Sequence, residues 1–127
     1  MIDPKELRIG NYVSLKNGIH VSVLTIEHDV YSEIGYCIYD QNLCVRLLED
    51  LSPIPITEEW LERFGFNPEY PCWYMDDIPF FIEQLDDQFR VSFEGSGGYA
   101  WNQKINSLHQ LQNLYFALTG EELNIEL

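Results

Sequence analysis

Apolar positions along this chain recur with two different periods, and each change of period marks an element. Over residues 11–16 and 19–28, apolar and polar side chains alternate, as on a strand with one buried face. Asn17-Gly18 separates these runs and predicts a tight hairpin, because both residue types tolerate the positive φ of a type I′ turn. Further strands are expected over 36–39 and 43–48, turned at Asp40-Gln41-Asn42. Pro53 and Pro55 remove donors and bias their predecessors to extended geometry, so 52–56 reads as an extended connector or edge strand. A second group of aromatic-rich strands is expected over 72–75, 80–85, 89–93 and 99–105, with 124–127 as a last edge strand.

Two stretches switch to helical spacing. Thr57 is a helix N-cap followed by Glu58 and Glu59, Trp60, Leu61 and Phe64 form a stripe, and Gly65 is the stop, predicting a helix over 58–64. Ser107 with Gln110 forms a capping-box pattern that opens a second helix over 108–119, closed by Gly120. Leu108, Leu111, Leu114, Tyr115 and Leu118 place one side of that helix in the core. The order of elements predicts an α+β fold of mostly antiparallel sheet. Its N-terminal part has the texture of an SH3-like barrel or meander, and the remainder that of a curled sheet with a helix. At 127 residues a single domain is expected, with sub-lobes at 1–56 (β-rich) and 57–127 (α+β).

Composition sharpens this picture. The chain is 46% hydrophobic, enough for a packed core. Seven Lys+Arg against 21 Asp+Glu give a net charge of −14, which disfavours direct contact with nucleic acid or an anionic membrane surface. The N-terminus is charged at once, and no apolar run approaches the ~20 residues needed to span a bilayer, so a cytoplasmic protein is expected.

Candidate chemistry is sparse. Cys37, Cys44 and Cys72 lack paired metal-ligand spacing, so they read as reduced, buried thiols rather than as zinc ligands with His20 and His28. Gly95-Ser96-Gly97-Gly98 precedes a strand rather than a helix, which suits a flexible hairpin loop better than a phosphate cradle. The acidic doublets Glu49-Asp50, Glu58-Glu59, Asp76-Asp77, Asp86-Asp87 and Glu121-Glu122 sit at turns and helix ends, where carboxylates are ordinary solvating groups. No catalytic residue, cofactor or metal site is expected.

The most unusual feature is a gap in the charge. Between Glu94 and Glu121 only Lys104 carries a formal charge. The second helix therefore sets His109, Gln112, Asn113 and Phe116 opposite its apolar stripe, where a surface helix normally carries Lys and Glu. Two readings are open. The face is covered by the protein's own sheet and tail, or it is an interface for a protein partner or a second copy of the chain.

Three blocks carry a resemblance: Glu6-Leu7-Arg8-Ile9-Gly10-Asn11-Tyr12-Val13, then Pro53-Ile54-Pro55-Ile56-Thr57-Glu58-Glu59-Trp60-Leu61 with Phe64-Gly65-Phe66, and the run from His109 to Leu123. Together they resemble a family of small uncharacterised proteins of gut anaerobic bacteria, their prophages and mobile elements. The resemblance covers about a third of the chain. It implies a cytoplasmic accessory protein of phage or mobile-element type and carries no site residue over. The expected function is a non-catalytic protein–protein interaction module. The alternatives are a nucleic-acid-mimicking inhibitor of a host defence or DNA-binding protein, suggested by the net charge, and a small-molecule-binding domain.

Overall fold

The computed structural model of the chain describes residues 2–28, 35–76, 78–93 and 102–123. It is an α+β fold of two antiparallel sheets and two α-helices, divided into two compact units. Unit 1 is Met1–Ile54 with Ser107–Asn113, and unit 2 is Pro55–Asn106 with Leu114–Leu127. The division falls two residues from the 56/57 boundary read in the sequence. The return of residues 107–113 to the N-terminal unit has no local signature.

Unit 1 opens with a 3₁₀ turn at Pro4–Glu6, capped by the Asp3 carboxylate accepting from the Lys5 N–H. Four strands follow as a meander: β1 (Tyr12–Leu15), β2 (His20–His28), β3 (Tyr36–Asp40) and β4 (Val45–Leu47). A second 3₁₀ turn, Leu48–Asp50, then feeds β5 (Leu51–Ser52), which returns to pair with β1. The order β4-β3-β2-β1-β5 leaves β4 and β5 as edges among the described residues, so the sheet is a meander rather than a closed barrel. Val13, Val21, Val23, Ile38, Leu48 and Leu51 form its core. Leu24 is the extra residue of a β-bulge, since Val23 faces Asp40 while Thr25 faces Tyr39.

Two turns differ from expectation. The β1–β2 hairpin is not type I′. Only Gly18 takes a positive φ (85°), and its N–H donates to the Leu15 carbonyl while the Leu15 N–H donates to Ile19. This is a three-residue loop, in which the glycine supplies the left-handed position of a G1 bulge. The strand expected over 43–48 is shortened to Val45–Leu47, because Leu43 takes φ 61° in the preceding turn and Leu48 starts the 3₁₀ turn. Short apolar runs do not by themselves separate strand from turn.

In unit 2, α1 (Glu58–Arg63) begins at Thr57, whose hydroxyl accepts from the Trp60 N–H at 3.4 Å. It ends in a Schellman motif, with Gly65 N–H donating to Glu62, Phe66 N–H donating to Leu61, and Gly65 at φ 93°. The second sheet runs β10-β9-β8-β7-β6, formed by β6 (Asn67–Glu69), β7 (Cys72–Tyr74), β8 (Phe80–Leu85), β9 (Gln88–Phe93) and β10 (Asn102–Ile105). β6 escaped the sequence reading because Pro68 argues against a strand; it is tolerated here because β6 is an edge. Phe66, Trp73, Phe80, Ile82, Phe89 and Val91 are buried in this unit.

Helix α2 (Leu108–Thr119) has the expected bounds, and Gly120 follows it at φ 75°. Its expected capping box is not made, since the Ser107 hydroxyl is buried without a hydrogen-bond partner. Among the described residues, no helix is long and apolar enough to cross a membrane. The glycine-rich stretch at 95–98 and the expected strand at 124–127 lie outside the described residues.

Leu43 is 71% exposed in a left-handed conformation that costs an L-residue about 1–2 kcal/mol and is free for glycine. Leu43→Gly is expected to raise stability by about 0.5–1 kcal/mol after the entropy of glycine is deducted. A urea midpoint that stays the same or falls would show that the turn is not strained.

Candidate functional site

The four residues singled out on α2 do not form one exposed face. His109, Gln112 and Asn113 belong to unit 1, and His109 and Gln112 are each only 1% exposed. Gln112 accepts from the Tyr12 N–H at 2.9 Å and donates to the Gly10 carbonyl at 3.1 Å. Asn113 donates to the Glu6 carbonyl and accepts from the Asn11 amide at 2.9 Å and from Arg8 Nη1 at 3.4 Å. Phe116 lies in unit 2 and is 39% exposed. The expectation of a shared docking face at His109, Gln112 and Asn113 is therefore corrected.

The physical reason lies in the backbone of residues 6–12. Its carbonyls and N–H groups need partners once they leave water. Neutral amides supply these without the cost of burying a charge. The missing Lys and Glu on this half of the helix thus reflect burial within unit 1. His109 belongs to the same arrangement. Burial pulls its pKa below the ordinary histidine value, opposed by Glu6, whose carboxylate lies 3.3 Å from Nε2. A neutral ring with its proton on Nε2 donates to Glu6 and leaves the Nδ1 lone pair a buried acceptor without a donor.

The expected core stripe is met at Leu108 and Leu111, whereas Leu118 is 37% exposed. His20 and His28 are exposed, and His28 sits edge-on to Tyr36. Of the cysteines, Cys37 is buried, Cys72 is half-buried and Cys44 is exposed, so the expectation of buried thiols holds only for the first. Among the described residues, no three His, Cys, Asp or Glu side chains are grouped to hold a metal ion.

The sequence reading missed the pairing of Asp40 with Arg46. Asp40 is fully buried at the end of β3. Its carboxylate accepts from the N–H groups of Asn42 (2.9 Å) and Cys44 (3.1 Å) and from Arg46 Nε (3.1 Å). Burial alone would raise its pKa, but the Cys44 N–H, the Arg46 guanidinium and the Asn42 N–H together outweigh burial and hold it below the ordinary carboxylate value. An Asp opening a turn is itself a sequence signal, because its side chain caps the N–H two residues on. The hairpin register then brings position 46 back beside it.

Arg46 faces a groove of about 310 Å³ in unit 1, where Leu15, Val45 and Leu47 give apolar surface and Lys16 and Asp50 flank it. Lys16 Nζ lies 3.3 Å from the Asp50 carboxylate. Unit 2 carries a cleft of about 600 Å³ lined by Thr57, Glu58, Glu59, Gln84, Asp87 and Phe89. There Trp73 Nε1 donates to Gln84, which donates to Glu58 at 2.7 Å. A third cleft, about 390 Å³, lies between Asp76, Ile78, Pro79, Tyr115, Leu118 and Glu121.

The chain was compared with protein-family models, curated proteins and solved structures, and it matches none of them.

Two outcomes follow from these contacts. Gln112→Ala leaves the Tyr12 N–H and the Gly10 carbonyl unpaired and is expected to cost about 2–3 kcal/mol. Denaturant unfolding measures the loss, and light scattering should show the mass in solution unchanged; a change of mass without loss of stability would restore the docking reading. The second outcome concerns acid. The unfolded chain takes up a proton at His109 below about pH 6.5 while the folded chain resists it, so stability falls as pH drops through that range. A further fall begins below about pH 4, where unfolded Asp40 protonates before the folded carboxyl does. Unfolding free energies from pH 7.5 to 3 should show both steps, the first shallower in His109→Gln.

Proposed function

We propose that this chain is a non-catalytic protein–protein interaction module, a small acidic cytoplasmic accessory protein of phage or mobile-element type. The observation that carries the reading is the β3–β4 hairpin. Leu43 stands 71% exposed in a strained backbone conformation, and Val45 is 50% exposed on an edge strand. Folding has no use for an exposed aliphatic residue where glycine would be cheaper, and such strain gathers at functional positions. An edge strand also offers unpaired backbone groups to an incoming chain.

The assignment of side chains supports the same reading. Asp40, His109, Gln112 and Asn113 are engaged in internal hydrogen bonds, which leaves them poorly placed for proton transfer to a substrate. The partner is a protein or a second copy of the chain. The net charge of −14 keeps non-specific contacts with nucleic acid low.

The test compares tagged wild type with the double variant Leu43→Asp/Val45→Asp in a bacterial host, after checking that their melting temperatures agree within a few degrees. Specific protein retention, or self-association by light scattering, is expected for wild type and should fall at least tenfold in the variant. Equal behaviour of the two proteins would refute this hairpin as the contact surface.

A further inference from the structure

We propose that the groove beside β4 recognises a carboxylate, taking an acidic side chain of an extended partner segment in the terminal nitrogens of Arg46. The inference rests on the interaction-module reading and adds the chemistry of the partner.

Arg46 is held in place on one side only. Its Nε donates to Asp40 at 3.1 Å, and Asp40 is itself fully buried and fixed by two backbone N–H groups of the turn. The guanidinium plane is thereby set before any ligand arrives. Its two terminal nitrogens have no hydrogen-bond partner among the described residues, and the side chain is 36% exposed. A planar fork with two nitrogens free matches the paired oxygens of a carboxylate, and pre-setting it removes much of the rotamer entropy that an arginine loses on binding.

The surroundings agree with that use. Only seven Lys and Arg stand against 21 acidic residues, yet two of the seven, Lys16 and Arg46, line this one groove. Lys16 is paired with Asp50 across 3.3 Å, but both side chains are well exposed, and such pairs hold little energy, so Lys16 can turn to an incoming anion at small cost. Leu15, Val45 and Leu47 supply apolar contact beside the cations, which suits an acidic residue flanked by aliphatic ones. The groove is about 310 Å³, room for a few side chains. β4 is the outermost strand, so a partner segment can lie along it as an added strand with its acid beside Arg46. Asp40 offsets part of the Arg46 charge, so single-site binding is expected near the millimolar range, the strength of a contact that needs further surface to hold.

The experiment uses the full chain labelled with ¹⁵N and two capped peptides, acetyl-Thr-Val-Glu-Val amide and its glutamine counterpart, followed by chemical-shift titration. The glutamate peptide is expected to shift the Arg46 Nε–H and the amides of residues 45–47, with the glutamine peptide at least fivefold weaker. Lys16→Gln, a change at an exposed side chain, should weaken glutamate binding at least twofold. Arg46→Lys, which keeps the charge and loses the fork, should reduce the preference between peptides at least twofold. Equal binding of the two peptides at β4 would overturn carboxylate recognition and leave the module reading standing. Absence of binding by both, or shifts confined to another surface, would overturn it as well. Displacement of the glutamate peptide by an equal concentration of inorganic phosphate would show a general anion site and also count against it.

Discussion

Backbone groups taken out of water must find partners, and that requirement shapes the N-terminal unit. Between Glu6 and Tyr12 the Gly10 N–H and the Asn11 carbonyl pair with Val23 of β2, but other backbone groups of the segment have no strand partner. Gln112 and Asn113, about a hundred residues further on, satisfy three of them. Each amide side chain carries both a donor and an acceptor, so one residue can serve an N–H and a carbonyl together, as Gln112 does. The N-terminal unit therefore includes residues 107–113, and it is completed only when they are present.

This arrangement assigns a cause to the gap in charge along the C-terminal region. Lys or Glu at 109, 112 or 113 would have to be desolvated beside the 6–12 segment, at a cost that neutral amides avoid. The one titratable group there, His109, is kept neutral by the same burial. Elsewhere the protein does bury a charge, at Asp40, and there it provides two backbone N–H groups and a guanidinium to hold it. The contrast shows two solutions to one problem. One uses neutral amides that cost little, and the other uses a fully partnered carboxylate whose guanidinium partner, Arg46, remains partly exposed.

Much of this fold was legible from local pattern. Thr57 and Gly65 marked α1 because capping is a matter of a few neighbouring residues, and the Leu108–Thr119 spacing marked α2 for the same reason. β8 and β9 followed from their aromatic-rich runs. What escaped was non-local or ambiguous at short range. Pro68 concealed β6, whose edge position tolerates it. Leu48 looked like strand but opens a 3₁₀ turn. Ser107 matched a capping box in sequence, yet its hydroxyl is buried without a partner. The candidate site was the least legible part. His109, Gln112 and Asn113 were conspicuous because they lack charge, and the pattern could not say whether a partner or the chain's own backbone covers them. Asp40 and Arg46 escaped because their pairing depends on hairpin register, although the turn that Asp40 opens was visible.

The Gln112 side chain seals the Tyr12 amide inside the N-terminal unit. Hydrogen exchange at that single amide is the decisive measurement. Tyr12 is expected to exchange only through global unfolding, with protection equal to that of the core amide of Val13. Exchange of Tyr12 at the rate of an exposed loop amide, with Val13 still protected, would contradict it.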